Sequence, residues 1–297
     1  MTPQVLTLVA PPGGLAAAHI AQVREALRAL GAETDGPVWL APDEAADLPF
    51  EKLAAEQATA AARRALAAAP VDAIAQPAEG RRKRLLVADM DSTIVTTETL
   101  DELAAHAGLK ERVAEITRRA MNGELDFRAA LVERVAMLAG LPLSALERTW
   151  KATAMTPGAR ELVATMRAHG ARCVLVSGGF TYFTSRVARK LGFHEHVANT
   201  LLDDGRALTG QVAEPILGRE AKLATLKRVA AEQGLPLSAT LAVGDGANDL
   251  DMLAAAGLGV AFRAKPMVAA AARARVDHAD LRALLFAQGY RAEELRR

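Results

Sequence analysis

The sequence has only one cysteine, Cys173, among its 297 residues. A single cysteine cannot form a disulfide within the chain, which excludes the disulfide-stabilised secreted class and is typical of a reducing compartment. Aromatic residues are also scarce, at 4% of the chain, and alanine-rich stretches such as 54–69 favour helices because alanine loses no side-chain entropy. We therefore expect a cytoplasmic protein.

Neither sign of charge is in excess, since 36 Lys and Arg residues stand against 35 Asp and Glu residues. A general nucleic-acid binder needs surplus positive charge to neutralise phosphates, so this class is disfavoured. No segment approaches the about 18 consecutive apolar residues of a membrane helix, and the first residues lack the pattern of a secretory signal. We expect a soluble protein with neither a nucleic-acid nor a membrane partner.

A polar segment, QPAEGRRKR at 76–84, separates two parts of the chain. It contains proline and glycine and precedes an abrupt apolar run, as linkers do. Its basic run 81–84 is too short for a nucleic-acid or membrane patch, and we interpret it as a solvated linker. The predicted division is an N-terminal unit over 1–78 and a larger unit over 79–297.

The larger unit repeats one pattern, a short apolar run that ends in Asp, Ser or Gly and leads into a helix. The runs and the residues that follow them are 85–88 with Asp89, 173–176 with Ser177, and 241–244 with Asp245. Near-continuous apolar strands alternating with helices indicate a parallel sheet covered on both faces. Ligands of such sheets bind beyond the carboxyl ends of the strands, so we expect the site there.

Roughly 80 residues separate the first two of these strands, too many for a single crossover. Apolar residues at three- and four-residue spacing between Thr99 and Trp150 predict an inserted helical subdomain, over about 97–155, that covers the site as a cap. A second insertion is predicted at 199–218, where 203–205 reads Asp-Asp-Gly, a hairpin turn signal.

Two carboxylates, Asp89 and Asp91, follow the first strand. At this spacing one can act as a nucleophile that forms an aspartyl-phosphate while the other donates and accepts a proton. Held close together, two acids push their pKa values apart, which helps one of them act as an acid near neutrality. The alternative is a turn with two solvated aspartates.

The second strand is followed by Ser177, Gly178 and Gly179, and a later predicted helix over 219–230 contains Lys222. A hydroxyl with free backbone N–H groups at a strand-to-helix turn suits an anion, whereas the alternative is a tight turn in which glycine supplies a positive φ. Lys222 offers a charge to hold phosphate and balance an acidic nucleophile, although a lone helical lysine is more often a surface residue.

The third strand leads into GDGAND, in which Asp245, Asn248 and Asp249 stand at i, i+3 and i+4. This spacing places them on one face of the opening helical turn. Carboxylates beside a phosphate site are oxygen ligands that suit Mg²⁺. Helix capping alone explains one of these residues, but not the additional acid and the glycines.

In this order, the motifs DMDST, SGG, Lys222 and GDGAND resemble the haloacid dehalogenase (HAD) superfamily of phosphohydrolases over residues 85–262. Within it, DMDSTIVTTETLDELA, AMNGELDF, VSGGFTYF, LTGQV and VGDGANDLDML are similar to the phosphoserine phosphatases. The resemblance implies an α/β, HAD-like Rossmannoid three-layer core with a parallel sheet and an inserted helical cap. It also implies Mg²⁺-dependent hydrolysis of O-phospho-L-serine to L-serine and phosphate, the last step of serine biosynthesis, through an aspartyl-phosphate.

The resemblance further assigns roles at the sheet edge. Asp89 attacks phosphorus, and Asp91 protonates the leaving serine oxygen and then activates water. The Mg²⁺ ligands are the Asp89 carboxylate, the Asp91 backbone carbonyl and Asp245, with Asp249 in support. The residues that bind the phosphoryl group are Ser177, Gly178, Gly179, Lys222 and Asn248.

On the cap side, the resemblance implies that Glu98 meets the substrate ammonium and Arg134 its carboxylate, which an arginine fork suits. Met121 and Phe127 close an apolar wall. The alternatives are helix packing for Met121 and Phe127 and a surface charge for Arg134.

The N-terminal unit shows a β-α-β-α-β order: VLTLVA, a helix over 15–30, PVWLA, a helix over 50–69, and VDAIAQ. It is similar to an ACT-type regulatory module, which implies amino-acid sensing or a homodimer; a structural appendage is the alternative.

Other functions stay open. They are a phosphatase or phosphotransferase for another small phosphomonoester such as phosphohomoserine, a phosphoprotein phosphatase, which the cap disfavours, and a non-catalytic interaction module, which the retained acids disfavour.

Overall fold

The N-terminal unit folds as an antiparallel sheet with two helices in the computed structural model, which describes residues 3–297. Its elements are β1 Gln4–Val9, α1 Ala17–Ala29, β2 Glu33–Thr34, β3 Val38–Ala41, β4 Ala45–Glu51, α2 Ala55–Ala65 and β5 Asp72–Pro77. The strand order is β2-β4-β1-β5, and β3 also pairs with β4. Alternate residues of β1 face opposite sides, so that Leu6 and Leu8 pack with α1 and α2, while Val9 joins the core of the larger unit.

The predicted order of this unit lacks two strands, β2 and β4, and begins the second helix too early. β4 pairs with β1 along the whole length of β1, from Gln4 opposite Phe50 to Val9 opposite Ala45. The prediction of a helix from Phe50 is therefore wrong, and α2 begins at Ala55. The segment AADLPFE has little intrinsic strand preference, but burial against β1 and α1 outweighs this local preference.

The larger unit contains a six-stranded parallel sheet, as the sequence predicts. Its elements are β6 Leu85–Ala88, α3 Thr99–Ala105, α4 Lys110–Met121, α5 Phe127–Ala136, α6 Ser144–Ala152, α7 Ala159–Ala168, β7 Arg172–Phe180, α8 Thr181–Leu191, β8 Glu195–Asn199, β9 Leu201–Asp203, β10 Leu208–Val212, α9 Arg219–Glu232, β11 Thr240–Gly244, α10 Leu250–Ala255, β12 Leu258–Phe262, α11 Pro266–Ala271, β13 Ala274–Val276 and α12 Ala283–Ala287. Leu86 faces one apolar core, whereas Leu85 and Val87 face another on the opposite side. Among the described residues, no helix is long and apolar enough to cross a bilayer.

The sheet order, β13-β12-β11-β6-β7-β8, places the three predicted strands side by side at its centre. The residues that end them, Asp89, Ser177 and Asp245, therefore meet at one edge. The prediction missed the other three strands of this sheet, β8, β12 and β13. Of these, β8 carries polar residues and β13 is only three residues long, so neither has the long apolar run that identified the central strands.

Helices α3–α6 are inserted between β6 and α7. The chain leaves the sheet at Val95 and returns at Met155, and these two residues form an isolated antiparallel bridge. Two backbone hydrogen bonds flank the bridge, from Thr96 N–H to the Ala154 carbonyl (3.1 Å) and from Thr156 N–H to the Ile94 carbonyl (2.9 Å). The inserted helices are thus joined to the sheet through a narrow neck.

The second predicted insertion forms the hairpin β9–β10. Its turn is closed by the Asp204 side chain, which accepts hydrogen bonds from the backbone N–H groups of Arg206 and Ala207. The hairpin lies against the cap, where Leu208 exchanges backbone hydrogen bonds with Gly140 and Leu141.

The basic run 81–84 is solvent-exposed at Arg82 and Arg84, as the sequence suggests, but Lys83 is buried and Arg81 only partly exposed. Arg81 forms an ion pair of 2.6 Å with Asp47 of the N-terminal unit. The Lys83 side chain is buried, and its ammonium donates to the carbonyls of Gly80 and Ser238. Arg82 pairs with Glu294. Because Arg81 pairs with a residue of the N-terminal unit, this segment helps to hold the two units together.

A buried carboxylate makes a second connection between the units. Asp72, the first residue of β5, accepts backbone N–H hydrogen bonds from Asp277, His278 and Ala279, the shortest of them 2.8 Å. Charge-assisted hydrogen bonds of this kind are among the strong ones in proteins. The N-terminal unit is therefore fixed against the loop that follows β13.

Candidate active site

The chain turns sharply after β6. Asp91 is extended, whereas Ser92 adopts a left-handed conformation with φ 53°, which is uncommon for a residue with a Cβ. The Val95 N–H donates to the Met90 carbonyl at 2.9 Å and closes this turn. Both Asp89 and Asp91 consequently line a cavity at the carboxyl edge of the sheet.

The cavity measures about 30 Å³ and is closed on one side by the cap. Its lining residues are Asp89, Asp91, Glu98, Leu100, Met121, Phe127, Leu131, Arg134, Ser177, Gly178, Gly179, Asp245 and Asn248. The structure thus brings together all of the sequence-predicted site residues except Lys222 and Asp249, which lie buried behind the carboxylates. Leu100 and Leu131 were not predicted. The helical spacing of Phe127, Leu131 and Arg134 is the signal that could have identified Leu131.

Asp89 is held by a backbone amide and by a lysine. Its Oδ1 accepts a hydrogen bond from Met90 N–H (2.8 Å) and lies 2.8 Å from the Lys222 ammonium. Its Oδ2 takes part in no hydrogen bond or ion pair among residues 3–297. Burial and the neighbouring Asp249 carboxylate raise the pKa of Asp89, and Lys222 opposes this rise. Oδ2 is therefore the oxygen available to a substrate.

Both carboxylate oxygens of Asp91 accept hydrogen bonds. Oδ1 accepts a hydrogen bond from the Thr99 N–H at the start of α3 (2.8 Å), and Oδ2 accepts one from the Ser177 hydroxyl (3.2 Å). Burial, followed by the nearby Glu98 carboxylate, raises the pKa of Asp91 to about 6, although the hydrogen bond from the Thr99 N–H opposes the rise. A carboxyl group with such a pKa is partly protonated near neutrality and can donate a proton.

Ser177, Gly178 and Gly179 are the last part of β7 rather than a turn between strand and helix. Neither glycine has a positive φ, so the turn interpretation is wrong. Both glycines instead permit close contacts: a Cβ on Gly178 would overlap the Phe127 ring, and a Cβ on Gly179 would lie 2.8 Å from Oδ2 of Asp91. Their small size lets the cap ring and the carboxylate approach the strand.

The acidic residues at the sheet edge form a cluster suited to a cation. One carboxylate oxygen from each of Asp89, Asp245 and Asp249 lies within 4.8 Å of the others. Oδ2 of Asp245 is buried and accepts no hydrogen bond among the described residues, and its nearest positive charge is Lys265 at 3.6 Å. Burial, together with the nearby Glu98 and Asp249 carboxylates, raises the pKa of Asp245 to about 8. A divalent cation would relieve this excess of negative charge.

Asp249 differs from the other two acids because both its oxygens are engaged. Oδ1 accepts a 2.6 Å hydrogen bond from the Lys222 ammonium, and Oδ2 accepts from the backbone N–H groups of Asp245 and Gly246. The free oxygens of the cluster therefore belong to Asp89 and Asp245. Asn248 contributes a further oxygen, Oδ1, which is buried and has no hydrogen-bond partner among residues 3–297.

The cap places a cation and an acid over the cavity. Arg134 is almost fully buried, and burial lowers its pKa, while the Asp101, Glu98 and Asp91 carboxylates counteract this effect. Burial also raises the pKa of Glu98, whose Oε1 accepts a 2.7 Å hydrogen bond from the Ser92 hydroxyl. Arg134 is thus not a surface charge.

The apolar cap residues do more than pack between helices. Phe127 lies against Gly178 of the sheet, and both Phe127 and Met121 line the cavity.

Two further residues support the site and were not predicted. The buried Asn199 donates to the carbonyls of Gly178 and Leu217, so it fixes the end of β7. Lys265 reaches Asp245 from the segment after β12. The apolar run LGVAF before it, a fourth central strand pattern, is the signal that could have identified Lys265.

Comparison with known proteins agrees with this geometry. A family model of haloacid dehalogenase-like hydrolases matches residues 86–254. A phosphoserine phosphatase of Streptomyces coelicolor is 49% identical over 216 residues, which are 72% of this chain and 52% of that protein. A phosphoserine phosphatase of Streptococcus thermophilus is 48% identical over 67% of this chain and 93% of its own length. The chain therefore spans about half of the first relative and nearly all of the second.

A solved structure described as a phospho-aspartyl intermediate analogue of phosphoserine phosphatase superposes with a TM-score of 0.66 and 40% identity. The match covers 69% of this chain and 98% of the chain in that structure. The family model, the relatives and the shared fold agree on one assignment, and the chain belongs to the haloacid dehalogenase-like hydrolase family.

Proposed function

We propose that this protein hydrolyses O-phospho-L-serine to L-serine and phosphate with the aid of Mg²⁺, as its relatives' names suggest. One observation carries the proposal: a single enclosed cavity has Asp89 and Asp91 on the sheet side and Glu98 and Arg134 on the cap side. The first pair suits a phosphate ester, and the second suits the ammonium and carboxylate of an amino acid.

The first chemical step is attack by Oδ2 of Asp89 on phosphorus. The bond between phosphorus and the serine oxygen breaks, and Asp91 transfers a proton to that oxygen, so that L-serine leaves and an aspartyl-phosphate forms. In the second step Asp91 accepts a proton from water, whose oxygen attacks phosphorus. The bond to Asp89 breaks, phosphate leaves, and both carboxyl groups return to their initial state.

Positive charge and hydrogen bonds hold the two reacting carboxyl groups in place. The buried Lys222 ammonium stands beside Asp89, and the Ser177 hydroxyl holds Asp91 in place for proton transfer. The backbone of Gly178 and Gly179 and the Asn248 amide supply further contacts at the cavity wall. Phosphoryl transfer depends mainly on such positioning and charge stabilisation.

The donor set fits Mg²⁺, because the Asp89 carboxylate and the free Oδ2 of Asp245 are hard oxygen ligands of the type this ion prefers. These residues and the Asp91 carbonyl would hold the ion, with Asp249 fixing the surrounding backbone and Lys222. When bound, the ion neutralises negative charge on the phosphoryl oxygens.

The cap must move for substrate to enter. A cavity of about 30 Å³ has room for only one or two water molecules, far less than a phosphorylated amino acid needs. The neck at Val95 and Met155 joins the cap to the sheet and is the place where such a movement can pivot. Closure then excludes water from the aspartyl-phosphate except for the attacking molecule.

The experiment that tests substrate choice compares phosphate release from O-phospho-L-serine, phosphoethanolamine and phosphohomoserine. We expect the unmodified protein to prefer phosphoserine. Arg134→Met should raise the KM for phosphoserine and leave that for phosphoethanolamine, which has no carboxylate, unchanged. Glu98→Gln should raise the KM for all three substrates, because each carries an ammonium group. Arg112→Met and Glu111→Gln, exposed on α4, are the matched controls. Preference for phosphohomoserine, or unchanged phosphoserine kinetics in Arg134→Met, would contradict the assignment.

The division of the chain belongs to the proposal as well. The N-terminal unit, residues 1–78, serves as an ACT-type module. The cap spans about 97–155 within the larger unit, residues 79–297. The antiparallel sheet with two helices supports the first part, and the neck supports the second. Titration of the full chain with L-serine by calorimetry, and light scattering for a homodimer, would test the module.

The cytoplasmic location remains a prediction, supported by the one buried free thiol, Cys173.

A further inference from the structure

We propose that Thr117 is a positioning residue for Arg134: its hydroxyl links the guanidinium to Asp101 and so orients it toward the substrate carboxylate. The inference rests on the proposed function, because it needs Arg134 to bind that carboxylate. It adds two cap residues, Thr117 and Asp101, that do not themselves line the cavity.

The three residues come from three different cap helices. Asp101 is on α3, Thr117 on α4 and Arg134 on α5. The Arg134 Nη1 donates to the Thr117 hydroxyl at 2.8 Å, and that hydroxyl lies 2.6 Å from Oδ1 of Asp101. All three side chains are buried, with exposures of 3%, 3% and 7% for Arg134, Thr117 and Asp101. The chain of hydrogen bonds therefore crosses the interior of the cap.

The direction of these hydrogen bonds is fixed by chemistry. A guanidinium only donates, so the Thr117 oxygen accepts from Arg134. The single hydroxyl proton is then directed at Asp101, whose oxygen is closer (2.6 Å) than the alternative acceptor, the Val113 carbonyl (3.1 Å). Thr117 thus becomes a better acceptor for Arg134, because hydrogen bonds in a chain polarise one another.

This arrangement leaves one end of the guanidinium for a ligand. Nε donates to the Ala130 carbonyl at 3.0 Å and Nη1 donates to Thr117. Nη2 takes part in no hydrogen bond within the described part of the chain, and Arg134 lines the cavity. Because these hydrogen bonds fix Nε and Nη1, Nη2 is held in position to bind a carboxylate.

The hydroxyl also acts as a spacer between two buried opposite charges. Among the described residues, Asp101 and Arg134 form no ion pair within 4.0 Å, because Thr117 lies between them. Without the hydroxyl, a buried carboxylate and a buried guanidinium would each lose a partner, and direct attraction would draw Arg134 toward Asp101 and away from the cavity.

The test is steady-state kinetics of the full chain with Mg²⁺, using O-phospho-L-serine and phosphoethanolamine. Thr117→Val removes the hydroxyl and keeps the shape of the side chain. We expect its KM for phosphoserine to rise about tenfold, equivalent to about 1.4 kcal/mol, with kcat unchanged. The KM for phosphoethanolamine should not change, because that substrate has no carboxylate for Arg134 to bind.

Two further variants separate positioning from general damage. Thr117→Ser keeps the hydroxyl and should restore the KM for phosphoserine. Thr149→Val makes the same change at another buried cap threonine, whose hydroxyl has no hydrogen-bond partner in the described residues, and should leave both substrates unaffected. A melting temperature for each variant establishes that it is folded.

Other results would overturn the inference. An unchanged KM for phosphoserine in Thr117→Val, or an equal rise for both substrates, would show that Thr117 does not act through Arg134. Failure of the unmodified protein to release phosphate from phosphoserine is a different result: it would reject the proposed function and the inference with it.

Discussion

The Lys222 ammonium lies 2.8 Å from Oδ1 of Asp89, with both side chains buried. Burial by itself would lower the pKa of Lys222, but the Asp249 and Asp89 carboxylates outweigh burial and raise it. The lysine is therefore charged whenever the protein is folded at ordinary pH. It acts as the fixed counter-charge of a carboxylate that would otherwise be unpaired inside the protein.

Replacing Lys222 by methionine should destabilise the protein strongly, because two buried carboxylates then lose their partner. Loss of one member of a buried ion pair typically costs about 3–5 kcal/mol. Urea unfolding would measure the change in the free energy of unfolding. The matched control is Lys227→Met on the same helix, where the side chain is exposed. Equal stability of the two variants would show that Lys222 does not hold the acids.

The contact between Gly178 and Phe127 predicts a coupled pair of substitutions. A Cβ at position 178 would overlap the Phe127 ring, so Gly178→Ala should displace the ring and reduce kcat/KM at least tenfold. In a Phe127→Leu background the shorter side chain leaves room for the Cβ at position 178, so Gly178→Ala should reduce kcat/KM much less. Kinetics of the four combinations would measure the coupling, and purely additive losses would contradict the contact.

Mg²⁺ should raise the melting temperature of the protein in the absence of substrate, because an ion that binds only the folded state stabilises it. Asp245→Asn should lose most of this shift, since Asp245 offers a buried oxygen without a hydrogen-bond partner among residues 3–297. Asp251→Asn, at a partly exposed position on α10 where the side chain pairs with Arg219, should retain it. A thermal-shift titration measures the effect. If Mg²⁺ raises the melting temperatures of the unmodified protein and both variants equally, the ion binds elsewhere.

The single thiol should be unreactive in the folded protein. Burial raises the pKa of Cys173 to about 12, and the nearby Arg167 charge opposes this rise. At pH 8 only about 10⁻⁴ of such a group is thiolate, the form that reacts with alkylating reagents. Iodoacetamide should therefore leave native protein unmodified and add one group per chain in urea, as mass spectrometry would report. Rapid labelling of the native protein would mean that β7 is open to solvent.

The sequence was sufficient to predict the centre of the sheet and the convergence of its polar residues. Asp89, Ser177 and Asp245 each follow an apolar run, and such runs form buried parallel strands whose carboxyl ends share an edge. The roles assigned to Asp91, Arg134 and the other site residues remain predictions, although all of them except Lys222 and Asp249 line one cavity.

Features decided by distant contacts could not be predicted. The segment that forms β4 becomes a strand only because β1 lies beside it, and Arg81 is paired because Asp47 faces it across the two units. Thr117 gave no signal at all, since its contacts with Asp101 and Arg134 depend on how three helices cross. Local sequence patterns identify helices, strands and motifs, whereas the contacts between side chains on different elements depend on how those elements pack.

The most direct test of the account is phosphate release from O-phospho-L-serine, measured with and without Mg²⁺, for the unmodified protein and for Asp89→Asn. The substitution keeps the size of the side chain but removes the nucleophilic oxygen charge. We expect Mg²⁺-dependent release that exceeds the release from other phosphomonoesters and is abolished in the variant. Release that persists in Asp89→Asn, or that is absent for phosphoserine, would contradict the account.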